Sequence, residues 1–152
     1  MISFDTNLLL YSLNKDCREY DESRNFFSSL PTAPATVVVC ELVLVELYVL
    51  LRNPSVLTNP LGPEDAVSVI QTFRNHPSWT LCDYPGGLST VAEDLWRVAA
   101  QPNVGRRVIF DARLALTLRH YGVTDFATRN EAHFSGFGFG RVWNPLLRTP
   151  SN

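Results

Sequence analysis

Lysine is nearly missing from this chain. Of its 13 basic residues only Lys15 is a lysine, and the other 12 are arginines. Arginine suits bidentate contacts to phosphate or carboxylate, although a plain compositional preference explains the same bias. Cysteine is sparse too. Cys17, Cys40 and Cys82 lie far apart, are odd in number and form no C-x-x-C pair. That argues against a disulfide framework or a zinc site and suits a reducing cytosol. No run of about 18 apolar residues exists, so no membrane span is expected. The N-terminus lacks a basic segment followed by a long apolar one, so no secretory signal is expected either. There is no repeat and no low-complexity tract. With a formal net charge of −2 the chain has no global basic field, which leaves room only for a local basic patch.

What is present is enough for a packed core. The chain has 152 residues, 45% of them hydrophobic and 18% charged, which fits a single ordered domain over 1–152. "ISF" reads as a first strand, with helical residues from Leu8 to Leu13 and from Glu19 to Leu30. The β-branched run Thr36 to Val39 reads as a buried strand. "ELVLVELYVLLRNP" is too long for a strand and stops at Asn53-Pro54, so it reads as a helix. A further helix is expected in "PLGPEDAVSVIQTFRNHP" and a strand in "WTLCDYP". Helices follow from Ser89, a plausible cap, to Ala100, and from Asp111 to Tyr121 with Gly122 as the stop. "VTDFAT" and "RVWNPL" complete the expected strands. Alternating strands and helices predict an α/β fold whose central, mostly parallel sheet is covered on both faces. Sites in such sheets form at the carboxyl ends of strands, where Asp5 and Asn130 fall.

Three acids do not read as ordinary surface. Asp5 opens the polar triplet Asp5-Thr6-Asn7 inside an apolar run. An N-cap accounts for one polar residue and not for three. Glu46 is the only charged residue between Leu42 and Leu51, in a helix apolar nearly all round and therefore expected to be buried. A lone buried carboxylate demands a partner, either an arginine or a metal. Glu41 lies about 140° away around the same helix, in its first turn, where an acid suits the helix dipole, and reads as structural. Asp111 opens its helix and shares a face with Leu114, Ala115 and Leu118, which points it at the edge of the core. As a cap it too would be ordinary. Three carboxylates in one pocket repel and shift one another's pKa values, a conflict that a divalent cation removes. Carboxylates with waters suit Mg²⁺ or Mn²⁺, and such a centre polarises a phosphodiester and activates water near neutral pH.

"FDTNLLLY", "LVLVELYVL", "FDARLALTLRHYG" and "FATRNEAHFSGFGFGRVWNPL" occur in this order and span nearly the whole chain. In these motifs the chain resembles PIN-domain ribonucleases, most closely toxins of the VapC type from toxin–antitoxin modules. The resemblance implies a three-layer α/β/α PIN fold and an Mg²⁺- or Mn²⁺-dependent endoribonuclease that hydrolyses RNA by metal-activated water. It also implies a cytoplasmic homodimer restrained by a cognate VapB-type antitoxin, with tRNA or rRNA as substrate. Asp5, Glu46 and Asp111 match the acidic metal ligands, while Thr6, Asn7 and Thr128 match the polar residues that orient them. Many members carry a fourth acid after the fourth strand. Here Asn130 and His133 stand at those places, which puts a second metal in doubt. Asn130 offers a neutral oxygen or holds a metal-bound water, while His133 reads as a surface or packing residue, with a phosphate contact as its alternative. Arg106, Arg107, Arg113 and Arg129 lie close in sequence to Asp111 and Asn130 and are candidates for gripping the RNA backbone, each with a solvated surface as its bland alternative. The helices over Tyr11 to Phe27 and Val43 to Leu51 are candidates for an antitoxin groove.

Rival readings remain at this level. An aspartyl-phosphate hydrolase wants a second Asp two residues after the nucleophile, where this chain has Asn7. A PIN fold that binds RNA or protein without cutting would follow from the missing fourth acid. A PIN nuclease of RNA processing would share the chemistry without the toxin role.

Overall fold

The computed structural model describes residues 1–87, 89–102 and 104–147. Among these residues five strands form one sheet: β1 (Ile2–Phe4), β2 (Val37–Cys40), β3 (Trp79–Cys82), β4 (Asp125–Ala127) and β5 (Arg141–Trp143). Every pairing is parallel and the spatial order is β3-β2-β1-β4-β5. The chain therefore builds outward from β1 in one direction, then returns to the other side of β1 for β4 and β5. The order reverses between β1 and β4, and that is where an open α/β sheet leaves a crevice at its carboxyl edge.

Among the described residues seven helices cover the sheet. α1 (Thr6–Leu13), α2 (Tyr20–Ser29), α3 (Glu41–Leu51) and α4 (Pro63–Arg74) form one packed set. α5 (Thr90–Ala99), α6 (Val108–His120) and the single turn α7 (Glu131–Phe134) form another. The result is the three-layer α/β arrangement expected from the alternation of elements. Its core joins Phe4, Val37, Val39 and Phe126 of the strands to Leu8, Leu44, Leu47 and Leu118 of the helices, all essentially inaccessible to solvent. Each such side chain contributes about 1.5–3 kcal/mol by leaving water.

Three elements differ from expectation. α6 begins at Val108 instead of Asp111, because Arg107 before it already has helical dihedrals. Asp111 thus lies in the first turn instead of at the cap, which still suits the helix dipole. Ser89 occupies the cap position of α5, but its hydroxyl makes no capping bond. The larger correction concerns α3. Val43, Leu44, Leu47 and Leu51 face the core, while Val45 and Val49 are 59% and 57% exposed and Glu46 is exposed beside them. An almost uniformly apolar helix has no polar stripe to reveal which face turns inward, so composition alone overstated its burial.

Gly122 ends α6 as expected. It sits at φ +83°, the left-handed region open to glycine, and the amides of Gly122 and Val123 bond back to the carbonyls of Arg119 and Leu118. Cys17, Cys40 and Cys82 are all free thiols. Among the described residues no helix is long and apolar enough to cross a membrane.

Candidate metal and RNA site

The site begins with two strands that end side by side. The Asp5 amide donates to the carbonyl of Ala127 at 2.9 Å, so the β1–β4 ladder runs one residue past the end of β1. At that point Asp5 turns the chain into α1 as its N-cap, only 7% exposed. One carboxylate oxygen, Oδ1, accepts from the Thr6 amide at 2.8 Å. The other, Oδ2, accepts from the hydroxyl of Thr128 at 2.9 Å. Thr128 is fully buried and also accepts from the Asn130 amide at 3.0 Å, which ties the start of α7 to the same point.

Thr6 links a second acid to the first. Its hydroxyl donates to Glu46 Oε2 of α3 at 2.6 Å. The carbonyl of Val43, at 3.4 Å, is a much poorer acceptor for the same proton. Thr6 thus holds Asp5 with its backbone and Glu46 with its side chain. Glu41, by contrast, pairs with Arg74 of α4 at 2.7 Å, as its structural reading required. From the far side, Asp111 of α6 brings Oδ2 to 3.2 Å from His133 Nδ1 of α7.

Asp5, Glu46 and Asp111 all line one cavity of about 490 Å³, together with Asn7, Asn130 and His133. Burial pushes the Asp5 carboxyl up to about 6. The charges of Glu46 and Asp111 push the same way, and the hydrogen bonds from Thr128 and Thr6 pull back. Burial also raises Asp111, opposed by the His133 imidazole. The cavity is therefore a concentration of negative charge, most of it offered by oxygen.

Among the described residues, no three His, Cys, Asp or Glu side chains already converge as a ready coordination shell. The donor set still fits a hard cation. It consists of carboxylate and amide oxygens around a cavity with room for water, and Mg²⁺ characteristically keeps several waters and takes only a few protein ligands.

The four candidate arginines part company. Arg107 lines the cavity. Arg106 is exposed outside it. Arg113 lies over the ring of Tyr84, 4.8 Å from its centroid. Arg129 donates to the Tyr11 hydroxyl at 2.8 Å and pairs with Glu19 at 3.2 Å, in a neighbouring pocket. Arg113, two residues past Asp111 and so turned to another face of α6, and Arg129 are held by these pairings outside the cavity. His133, read from sequence as a surface or packing residue with a phosphate contact as the alternative, meets Asp111 of α6. Its place in the motif, where relatives of this kind carry an acid, was the available signal. Phe110, Leu42 and Val45 also line the cavity and had no signal beyond adjacency to the acids.

No family model matches the chain. Whole-chain comparison is more informative. The chain is 51% identical over 146 residues to Ribonuclease VapC24 of Mycobacterium tuberculosis, covering 96% of this chain and 97% of that one. In fold it is similar to M. tuberculosis VapC20, described as a sarcin–ricin loop cleaving toxin, with TM-score 0.67 and 17% identity over 91% of this chain and 96% of that one. It is also similar to the DNA-bound VapBC of Salmonella typhimurium, with TM-score 0.58 and 18% identity over 95% and 97% of the two chains. Half of the residues are shared with a ribonuclease across nearly the full length of both proteins, and this chain belongs to the VapC family of PIN-domain ribonucleases.

Proposed function

We propose that this protein is the toxin of a toxin–antitoxin pair and acts as a divalent-cation-dependent endoribonuclease. The observation that carries the reading is the Thr6 link: one residue binds Asp5 and Glu46 together at the strand-order reversal, with Asp111 facing them across the same cavity. Asp5, Glu46 and Asp111 would hold Mg²⁺ or Mn²⁺, with Asn130 adjoining. Bound there, the cation would supply Lewis-acid activation of water and neutralise charge on the phosphodiester. The chain's own residues do the positioning. Thr6 and Thr128 hold the Asp5 oxygens, Asn7 lines the entrance, His133 orients Asp111, and Arg107 meets the RNA backbone.

The partners follow from the same family. A VapB-type antitoxin restrains the enzyme, a second copy completes a homodimer, and structured RNA (rRNA or tRNA) is cut in the cytoplasm. A groove lined by Leu10, Leu13, Leu51 and Leu57, between α1, α3 and the loop after it, offers the antitoxin an apolar seat. Retained inhibition after polar substitution of these residues would sink that assignment.

The test is cleavage of total cellular RNA, including tRNA and rRNA, by purified protein. Wild type should cut in Mg²⁺ or Mn²⁺ and stop in EDTA, and Asp5→Ala should lose about 10²-fold or more, as expected when a charge-stabilising group is removed. One observation favours a second reading, an RNA-binding PIN fold without catalysis: Asn130 and His133 stand at the fourth acid's places. Absence of both cleavage and Asp5-dependent cation binding would select it.

A further inference from the structure

α6 presents four chemically different residues to the cavity on one face. Arg107, Phe110, Asp111 and Leu114 follow at i, i+3, i+4 and i+7, and all four line it. Leu114 anchors the face in the core, Asp111 faces the other acids, and Arg107 stands at the helix start. Phe110 fits none of these roles. It is 61% exposed, so burial does not explain a large ring there. From the α3 side, Leu42 and the exposed Val45 line the same cavity. The cavity thus combines three acids, apolar side chains from both α3 and α6, and the guanidinium of Arg107.

That combination matches a nucleotide better than a peptide side chain. A nucleotide needs negative-phosphate contacts and an apolar slot for a flat base within a single unit, and RNA recognition favours unpaired bases stacked on aromatic rings. An extruded base held between aromatic and apolar side chains is the usual solution where chemistry must reach a strand. We propose that Phe110 is a base-stacking platform: an unpaired nucleobase flanking the cleaved phosphodiester lies between the Phe110 ring and the Leu42–Val45 edge of α3, with Arg107 holding the adjoining phosphate. This rests on the ribonuclease reading and assigns a specificity-determining contact to it.

The experiment uses a short single-stranded oligoribonucleotide carrying 2-aminopurine, mixed with full-length protein in Mg²⁺ and read by stopped-flow fluorescence before cleavage. Cleavage of total RNA is measured in parallel. Wild type should quench the probe. Phe110→Leu, which keeps an apolar side chain and removes the ring, should bind about tenfold more weakly and lose the quench, in line with the cost of losing one base–aromatic stack. Phe110→Trp should restore both, and cleavage by Phe110→Leu should show a raised KM. Equal melting curves establish that the variants fold. Wild-type binding and quenching by Phe110→Leu would overturn the proposal. So would unchanged RNA binding combined with failure of Phe110→Leu to co-purify with a co-expressed antitoxin, which would give the ring to a protein partner. A wild type that neither binds nor cuts RNA would overturn the ribonuclease reading itself, and a wild type that cuts with no role for the ring would overturn only this contact.

Discussion

Asp5 is nearly buried, and its ionisation is tied to the stability of the fold. Its carboxyl prefers its proton in the folded chain up to about pH 6, against roughly 4 in an unfolded one. Below the unfolded value both states are protonated, and the folded state carries no buried charge. Between about 4 and about 6 the unfolded chain ionises while the folded one keeps its proton, so stability falls through that window and the loss is complete above about 6. A rise of that size corresponds to about 3 kcal/mol. Asp5→Asn should therefore stabilise the metal-free protein at pH 7.5 by up to that amount and make little difference at pH 4. Urea unfolding in EDTA at the two pH values measures it. Thr128 acts in the opposite sense. Its hydroxyl favours the ionised Asp5 and caps the Asn130 amide. Thr128→Val should cost about 1–3 kcal/mol by leaving buried polar groups unpaired. It should also move the acidic limb of the cleavage–pH profile upward, and Thr128→Ser should restore it.

At the scale of the element, α3 separates packing from chemistry along one helix. Leu47 is wholly buried and Val49 is mostly exposed, although the two are equally apolar in sequence. Leu47→Ala should cost about 2–5 kcal/mol, as large-to-small core changes do. Val49→Ala should stay within about 0.5 kcal/mol, as surface changes do. Denaturant midpoints of the two variants decide whether the exposed face is as free of the core as its geometry states. The existence of α3 and α6 was legible from length, stop signals and the Asn53-Pro54 and Tyr121-Gly122 boundaries. Their orientation was not. The rotation of α3 depends on which neighbours cover it, and the early start of α6 depends on a turn with no capping side chain.

On the scale of the molecule, the site exists because the strand order reverses beside β1. Asp5, Glu46 and Asp111 come from three separate segments. The charges of Glu46 and Asp111 both push the Asp5 carboxyl up, a cost in the metal-free fold that a bound cation would relieve. Mg²⁺ binding only to the folded state should add about 2.7 kcal/mol at a concentration a hundredfold above its dissociation constant. For a chain of this size that raises Tm by roughly 5–10 °C. A Tm that rises with Mg²⁺ in wild type and stays flat in Asp111→Asn would support the three acids as one cation site. Equal shifts in both would count against it.

The sequence by itself determined the α/β alternation and the five strands and singled out three acids as candidates, because these follow from local periodicity, turn residues and carboxylates set in apolar runs. Ordered motifs extended that to a family. Tertiary structure alone decided that Thr6 joins two acids, that His133 reaches Asp111, and that only Arg107 of the four candidate arginines lines the cavity. It also decided that Phe110 stands exposed at the cavity rim. Each of these depends on residues far apart in the chain meeting at one point, and helix rotation and ion pairing set that point through competition among neighbours that no local pattern records.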